Sequence, residues 1–183
     1  MNLRVSTIFL LFPLVAAAGG FRAGVASVNI TPDGPIWLSG YANRTKPSEG
    51  VAHPLFAKAL ALEDSKGVRV VFITTDLIGL PRSVADLAAA RILKEYGIER
   101  SNLVLNSSHT HTGPVVKPNL MTMFMLTPEQ ERILDSYAQK LTDQLVSVAG
   151  AAIGDLRLQS YLSDMAKPDS PSTAGGSART AKW

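Results

Sequence analysis

Cysteine is absent from the 183 residues of the chain. Neither a disulfide framework nor a thiolate metal site can therefore form, and any metal ion must bind through nitrogen and oxygen atoms. Histidine is also scarce, with three residues, so a nitrogen-based site has few positions at which it can lie.

Charge of one sign is not concentrated anywhere along the sequence. The 18 basic and 15 acidic residues give a net charge of +3, but the basic residues are scattered, without the basic stripe and interleaved aromatic residues of a nucleic-acid-binding face. A nucleic-acid partner is therefore not expected. The sequence also lacks a run of about 20 apolar residues, which a transmembrane helix requires.

The first 18 residues are typical of a secretory signal peptide. Arg4 precedes an apolar run over residues 8–17, and small residues follow where a signal peptidase would cut, near Ala18. We therefore expect residues 1–18 to be removed and the protein to be secreted or periplasmic.

The remaining sequence predicts an α/β fold. Strands are expected at 21–31, 55–64, 68–75 and 102–108, and helices at 82–96 and 127–153. The strand at 68–75 is nearly continuously apolar, as expected of a strand buried on both faces, and the segment at 102–108 is expected to be a second buried strand of this kind. With the helix between them they form a βαβ unit, whose strands are parallel. The fold class is thus a mixed sheet that contains a parallel βαβ unit and is flanked by helices.

Several local signals support this assignment. Gly97 is a helix C-terminal signal, and Thr127 with Gln130 forms a capping box. Apolar stripes are predicted on both helices, including Leu87 on the first and Ile133 on the second. Alanines alternate in the strand at 55–64, so that another layer can approach closely on that face.

The ordered domain is expected to span residues 19–158. Residues 159–183 form a low-complexity tail rich in Ser, Ala, Pro, Gly and Lys, which predicts disorder. A methionine-rich stretch at 119–127 either fills uneven gaps in the core or forms a pliable wall for an acyl chain, and we favour core filling.

The segment HTHTGP at 109–114 holds two of the three histidines. Residues 109 and 111 of an extended segment point the same way, so both imidazoles would face one cavity, where they could bind a metal or simply satisfy carbonyls at a turn. Asp76 follows the first strand of the βαβ unit and His109 the second, so both should lie at the carboxyl edge of the sheet. Asp76 could then hold an imidazole N–H.

Five segments occur in the order AGVASVNITP, LSGYAN, EGVAHPLFAKALAL, VVFITTDLIGL and NSSHTHTGP. This series resembles the N-terminal part of the neutral/alkaline non-lysosomal ceramidase family over residues 22–157. The resemblance implies a zinc-dependent amidase that cleaves ceramide to sphingosine and a fatty acid. It implies that His109 is a zinc ligand and that His111 lies close to Zn²⁺ and the reacting amide. With Asp76, His111 is our predicted catalytic residue.

A ceramide-like lipid is the implied substrate, and peripheral contact with a membrane surface is the implied setting. The chain differs from the family at Asn29, where members usually carry aspartate. The family's other zinc ligands, a histidine, a glutamate and a tyrosine, come after the point where this sequence stops, and no histidine follows His111. We therefore expect a truncated or frameshifted member, an incomplete domain with little activity alone.

Two other interpretations remain open. The chain could be an exported metal-dependent hydrolase of another amide or ester, since fold does not fix substrate. It could also be a non-catalytic exported binding domain with structural histidines. A serine hydrolase is set aside, because Ser107 and Ser108 face opposite ways and no Gly-x-Ser-x-Gly elbow is present.

Overall fold

The computed structural model describes residues 20–159, which form a five-stranded sheet in the order β4-β3-β2-β1-β5. The strands are β1 Phe21–Asn29, β2 Phe56–Glu63, β3 Arg69–Thr75, β4 Leu103–Ser107 and β5 Arg157–Gln159. Strands β3 and β4 pair in parallel, whereas β1–β2, β2–β3 and β1–β5 are antiparallel. The predicted mixed sheet with one parallel βαβ unit is confirmed.

Two helices, α1 at Arg82–Tyr96 and α2 at Pro128–Gly154, pack against each other. Helix α1 ends at Gly97, whose φ of 70° is left-handed and whose N–H donates to the carbonyl of Leu93. Helix α2 begins with the predicted capping box, in which the side chains of Thr127 and Gln130 each bond the other's backbone N–H. Short 3₁₀ turns lie at Arg100–Asn102 and Met121–Met123.

The predicted helix stripes are wrong at one position each. Leu87 of α1 is 55% exposed and Ile133 of α2 is 41% exposed. Helix α1 instead buries the adjacent alanines Ala88 and Ala89. Small residues let α1 approach its neighbours closely, so the buried face is rotated toward the alanines and away from Leu87.

Small residues also line the side of the sheet that α2 covers. Ala57, Ala59 and Ala61 of β2 are at most 4% exposed. In β1, a Cβ at Gly24 would lie 2.2 Å from the carbonyl oxygen of Ala152 in α2. The expected close approach of a second layer on the alanine face is therefore confirmed.

The expectation that β3 and β4 are buried on both faces is wrong. Both alternate along the chain between buried and exposed residues, with Phe72 36% and Val104 42% exposed. The cause is that α1 and α2 lie together on one side of the sheet. Cross-strand register places Phe72 and Val104 in one row with Val25 and Leu60 on the opposite, uncovered side.

The amino ends of β1 and β3 are tied together through a buried carboxylate. Glu63, 7% exposed, accepts from Arg22 at 2.8 Å and from Arg69 at 2.6 Å. The hydrogen bond from Arg69, followed by that from Arg22, lowers the pKa of the Glu63 carboxyl below its ordinary value of 4.5. This ion triad closes the end of the sheet opposite the predicted site.

The sheet continues slightly further than the sequence indicated. The short strand β5, which was not predicted, pairs with β1 and includes Gln159, the first residue of the expected tail. The rest of that tail and the predicted signal peptide lie outside the described residues. In the methionine-rich stretch, Met121 packs against the core while Met125 is 98% exposed. Neither helix within residues 20–159 is long and apolar enough to cross a membrane.

Candidate functional site

The candidate site lies where β3 and β4 end side by side. Their parallel pairing continues into the following loops, because Ser108 N–H donates to the Thr75 carbonyl at 3.0 Å and Thr110 N–H to the Leu77 carbonyl at 3.2 Å. The structure therefore brings Asp76 and the His109-Thr110-His111 segment to the same edge of the sheet, as the βαβ topology predicted.

The two predicted histidines are in contact, but not through an extended backbone. The rings of His109 and His111 are 5.1 Å apart between centroids, at an interplanar angle of 67°. His109 has φ of 61°, in the left-handed region. The extended segment expected from the sequence is therefore wrong at its first residue. The turn at His109 brings the two rings edge to face.

A backbone carbonyl fixes the ring of His109. Nδ1 lies 2.8 Å from the oxygen of Ile78. Because a carbonyl only accepts, Nδ1 carries the proton, and in the neutral imidazole Nε2 therefore keeps a free lone pair. The side chain is exposed at the edge of the sheet where β3 and β4 end, which we call the rim. Nε2 is therefore the atom of His109 that is available to bind a metal ion.

Asp76 has a different partner from the one expected. Its Oδ2 accepts the backbone N–H of Phe56 at 2.9 Å, while its own N–H donates to the Phe56 carbonyl. The Asp76 carboxylate thus anchors the start of β2. The carbonyl of Ile78, and not the carboxylate of Asp76, is the group that holds the imidazole of His109. The assignment of Asp76 as a catalytic residue stays a prediction.

The loop between β1 and β2 supplies site residues that the residue patterns alone did not identify. The ring of Tyr41 lies 5.1 Å from that of His111, at 67°. Arg44 donates through Nη2 to the His111 carbonyl at 2.9 Å. A Cβ at Gly40 would lie 2.5 Å from Cγ of His111. The only sequence signal was the segment LSGYAN in the family resemblance, which marked the loop but not its contacts.

Backbone hydrogen bonds fasten this loop to the segment after the histidines. Ser39 N–H donates to the Gly113 carbonyl at 2.9 Å, and Val115 N–H donates to the Trp37 carbonyl at 2.8 Å. These bonds flank an isolated antiparallel bridge between Leu38 and Pro114. Residues 37–39 and 113–115 therefore form one short ladder that carries both loops of the site.

A cavity of about 620 Å³ opens beside the histidine segment. Thr112 and Pro114 form part of its wall, and the third histidine, His53, lies on the same wall. Apolar residues from the loop between β1 and β2 complete much of the lining, among them Ile36, Leu38 and Leu55.

The donor atoms at the rim fit part of a zinc site. Two neighbouring imidazoles, one with Nε2 free and exposed, are the ligand type that zinc prefers. Within residues 20–159, no group of three or more His, Cys, Asp or Glu residues is arranged to hold a metal ion. The described residues therefore offer a share of a ligand set, with the hydrogen bond to Ile78 supplying the support that orients a ligating histidine.

The family model described as neutral/alkaline non-lysosomal ceramidase, N-terminal, matches residues 21–151 of the chain. This range contains the histidine pair, Asp76 and the Tyr41–Arg44 loop.

Individual relatives agree with the match. The neutral ceramidase of Drosophila melanogaster is 34% identical over 99 residues, which cover 51% of this chain and 14% of the relative. The neutral ceramidase of Oryza sativa subsp. japonica is 29% identical over 115 residues, or 61% of this chain and 15% of the relative. The chain therefore spans about a seventh of the length of the relatives that it matches.

Solved structures show the same fold. The crystal structure of neutral ceramidase from Pseudomonas aeruginosa superposes with a TM-score of 0.62 at 23% identity, over 76% of this chain and 22% of that one. A structure described as ceramidase complexed with C2 gives a TM-score of 0.63 at 22% identity, with the same coverage.

Proposed function

The chain belongs to the neutral/alkaline non-lysosomal ceramidase family, and from this premise we propose that it forms part of a zinc-dependent amidohydrolase acting on ceramide-like lipids. The reaction would cleave the N-acyl bond and release sphingosine and a fatty acid. The observation that carries the proposal is the contact between His109 and His111 at the carboxyl edge of a parallel strand pair, inside the region that matches the family.

The residues at the rim would have separate roles in the reaction. His109 would hold Zn²⁺ through Nε2, since Nδ1–H is committed to the Ile78 carbonyl. Bound zinc supplies Lewis-acid polarisation of a carbonyl and a lower pKa for water. His111, whose ring contacts that of His109, would hold a proton beside the reacting amide. Asp76 would act from the same rim, where its bond to Phe56 N–H fixes the carboxylate.

The cavity next to the histidines would bind the apolar part of the substrate. Its wall includes Thr112 and Pro114, one and three residues after His111 in the chain, and much of the remaining lining is apolar. Ligand sites of this kind bury lipid-like groups and orient them with few polar atoms. A lipid substrate also favours peripheral contact with a membrane surface, and the signal peptide predicted at residues 1–18 favours export of the protein.

One observation favours a second candidate, a non-catalytic exported binding domain. The described residues contain no cluster of three metal-binding side chains, and the hydrogen bond from His109 to Ile78 is also what a structural histidine would make. A third candidate, a hydrolase of another amide or ester, differs from our proposal only in substrate.

A chimera tests the proposal without requiring activity from the short chain. Residues 21–151 would replace the matching segment of the Pseudomonas aeruginosa neutral ceramidase, and hydrolysis of ceramide and of a short acyl amide would be measured with zinc content. We expect ceramide hydrolysis that His109→Ala and His111→Ala each reduce by a factor of about 100 or more, and zinc loss in the His109 variant.

The matched control for zinc content alone is His53→Ala, because His53 is an exposed histidine on the cavity wall and is not one of the two histidines at 109 and 111. A folded, zinc-loaded chimera that leaves ceramide intact but turns over the short amide would identify a different hydrolase. A folded chimera whose zinc content is unaffected by either rim substitution would support the binding-domain interpretation.

A further inference from the structure

Arg44 joins the two loops of the candidate site with one side chain. Its guanidinium donates to three backbone carbonyls, those of Leu38 at 3.3 Å, Ser39, and His111 at 2.9 Å. The first two lie before Tyr41 in the loop between β1 and β2, and the third lies in the histidine segment. We propose that Arg44 is a positioning residue that sets the orientation of His111, a role whose importance for catalysis rests on the proposed function.

The same guanidinium also contacts the aromatic ring that abuts His111. The central carbon of Arg44 is 4.9 Å from the ring centroid of Tyr41. The ring of Tyr41 is 5.1 Å from that of His111, which is 5.1 Å from that of His109. The four groups therefore form a continuous chain of contacts from Arg44 to His109, in which the rings meet edge to face. We therefore expect a displacement of the Arg44 side chain to change the positions of both imidazole rings.

Gly40 closes the remaining side of the His111 ring. A Cβ built there would lie 2.5 Å from Cγ and 2.7 Å from Nδ1 of His111, so the imidazole rests directly on the backbone of residue 40. Since Arg44 binds the carbonyl of the preceding Ser39, the arginine fixes this backbone as well. The ring of His111 thus has Gly40, Tyr41 and His109 as neighbours, and Arg44 positions the first two.

The chemistry of arginine suits this role. A planar guanidinium can donate several N–H bonds in fixed directions while its face lies over an aromatic ring, which a lysine ammonium cannot reproduce. Among the described residues, no carboxylate forms an ion pair with Arg44, whereas Arg22, Arg69, Arg82 and Arg91 in the strands and helices each have one. The guanidinium of Arg44 therefore interacts with backbone carbonyls of the two loops and with the ring of Tyr41.

The test follows the rings directly by NMR of the chain labelled at histidine, without zinc and without substrate. We expect Arg44→Ala and Arg44→Lys both to move the His111 ring resonances toward those of free histidine, because the ring current of Tyr41 then acts less strongly on His111. The His53 resonances should stay in place. Tyr41→Phe should retain the shift and Tyr41→Leu should lose it.

Arg22→Ala is the matched control, since Arg22 also joins two segments, through Glu63 and the Leu156 carbonyl, at the opposite end of the sheet. It should lower the melting temperature while leaving the His111 resonances unchanged. His111 resonances that are identical in Arg44→Ala and the parent chain would overturn the proposal. So would an equal displacement in Arg22→Ala. If Arg44→Ala does not fold, Arg44→Lys decides in the same way, because lysine keeps the charge and lacks the planar guanidinium.

A zinc titration of the same samples links positioning to function. We expect Arg44→Ala to weaken zinc binding at the histidine pair by about tenfold, as substitution of groups that orient metal ligands does. A ring shift that depends on Arg44 in a protein whose chimera does not hydrolyse ceramide would uphold the positioning role and refute the proposed activity. His111 resonances that do not depend on Arg44, together with a chimera that hydrolyses ceramide, would refute the positioning role and leave the proposed activity in place.

Discussion

At the scale of single residues, Gly40 determines how closely the loop between β1 and β2 can approach the histidines. Its φ is 98°, where L side chains are strained, and a Cβ would collide with the ring of His111. We predict that Gly40→Ala destabilises the fold by about 1–3 kcal/mol from backbone strain and displaces His111. Chemical denaturation and the histidine NMR spectrum measure the two effects.

Gly50 provides the control for that substitution. It lies in the same long loop, and a Cβ added there would meet nothing within 4 Å. Gly50→Ala should therefore change stability by no more than about 0.5 kcal/mol. Equal effects of the two alanine substitutions would show that the contact between Gly40 and His111 is absent in solution.

Glu63 makes stability depend on pH. Its pKa in the folded protein is lowered, first by the hydrogen bond from Arg69 and then by that from Arg22. A carboxyl whose pKa is lower when folded adds stability above its unfolded pKa, near 4.5, and that stability is lost as the pH falls through the folded pKa. We predict that the melting temperature falls as the pH is lowered below about 5.

Glu63→Gln isolates this contribution, because the amide keeps the shape of the side chain but does not titrate. The variant should be less stable than the parent at pH 7, and its melting temperature should change less with pH between about 5 and 3. Parallel pH curves for the two proteins would contradict the assignment of the acid sensitivity to Glu63.

The predicted site residues were found because the topology of a βαβ unit fixes where its strands end. That rule placed Asp76 and His109 at one edge without any knowledge of side-chain contacts. Tyr41 and Arg44 could not be found in this way, since they lie in a loop whose position depends on the ladder between residues 37–39 and 113–115. The partner of Asp76 was missed for a similar reason, because Phe56 belongs to the antiparallel neighbour and not to the βαβ unit.

At the scale of elements, the contact between β2 and α2 depends on alanine. Ala59 is 4% exposed and lies on the face of β2 that α2 covers. A larger side chain there must push the helix away or adopt a strained rotamer. We predict that Ala59→Leu destabilises the protein by about 1–3 kcal/mol, measured by urea denaturation.

The neighbouring residue tests the assignment of faces. Leu60 is 36% exposed on the uncovered side of the sheet. Leu60→Ala should cost about 1 kcal/mol or less, since it removes a side chain that is only partly buried. If shortening Leu60 were costlier than enlarging Ala59, the two faces would have been assigned in reverse.

The capping box of α2 gives a second prediction at this scale. Thr127 accepts from the N–H of Gln130 at 3.3 Å through its hydroxyl. Thr127→Ala should lower the free energy of unfolding by about 1 kcal/mol, and Thr127→Ser should retain most of it. Urea denaturation measures both. A loss of equal size in the serine variant would mean that the methyl group, and not the capping hydroxyl, stabilises this end of the helix.

The elements themselves followed from periodicity, capping residues and turn signals, whereas the faces that they bury did not. A run such as RVVFITT is apolar at nearly every position, so the sequence alone cannot tell whether one side or both are covered. That outcome is decided by where the helices pack: α2 contacts β1, β2 and β3, and α1 packs against α2. Strand β5 was missed because three exposed residues carry no pattern.

At the scale of the whole molecule, the histidine pair lies outside the main core. The hydrophobic core joins the alanine face of the sheet to α1 and α2 and extends to Trp37 and Val115 of the ladder, whereas His109 is exposed and His111 is half-buried. A metal ion at the rim is therefore not needed to bring the layers together, unlike the metal of a structural zinc site. This arrangement separates folding from metal binding.

We therefore predict that removing zinc with a chelator leaves the far-ultraviolet circular dichroism unchanged. Zinc should raise the melting temperature only because it binds the folded state. This binding adds about 2.7 kcal/mol to the free energy of unfolding when the free zinc concentration is a hundred times Kd. The control is the double variant His109→Ala/His111→Ala, which should lose this zinc-dependent increase and yet melt within a few degrees of the metal-free parent. Cooperative unfolding on chelation would instead mean that the rim is part of the folding core. Removal of a metal ion unfolds a domain only where the ion holds together segments that do not otherwise pack.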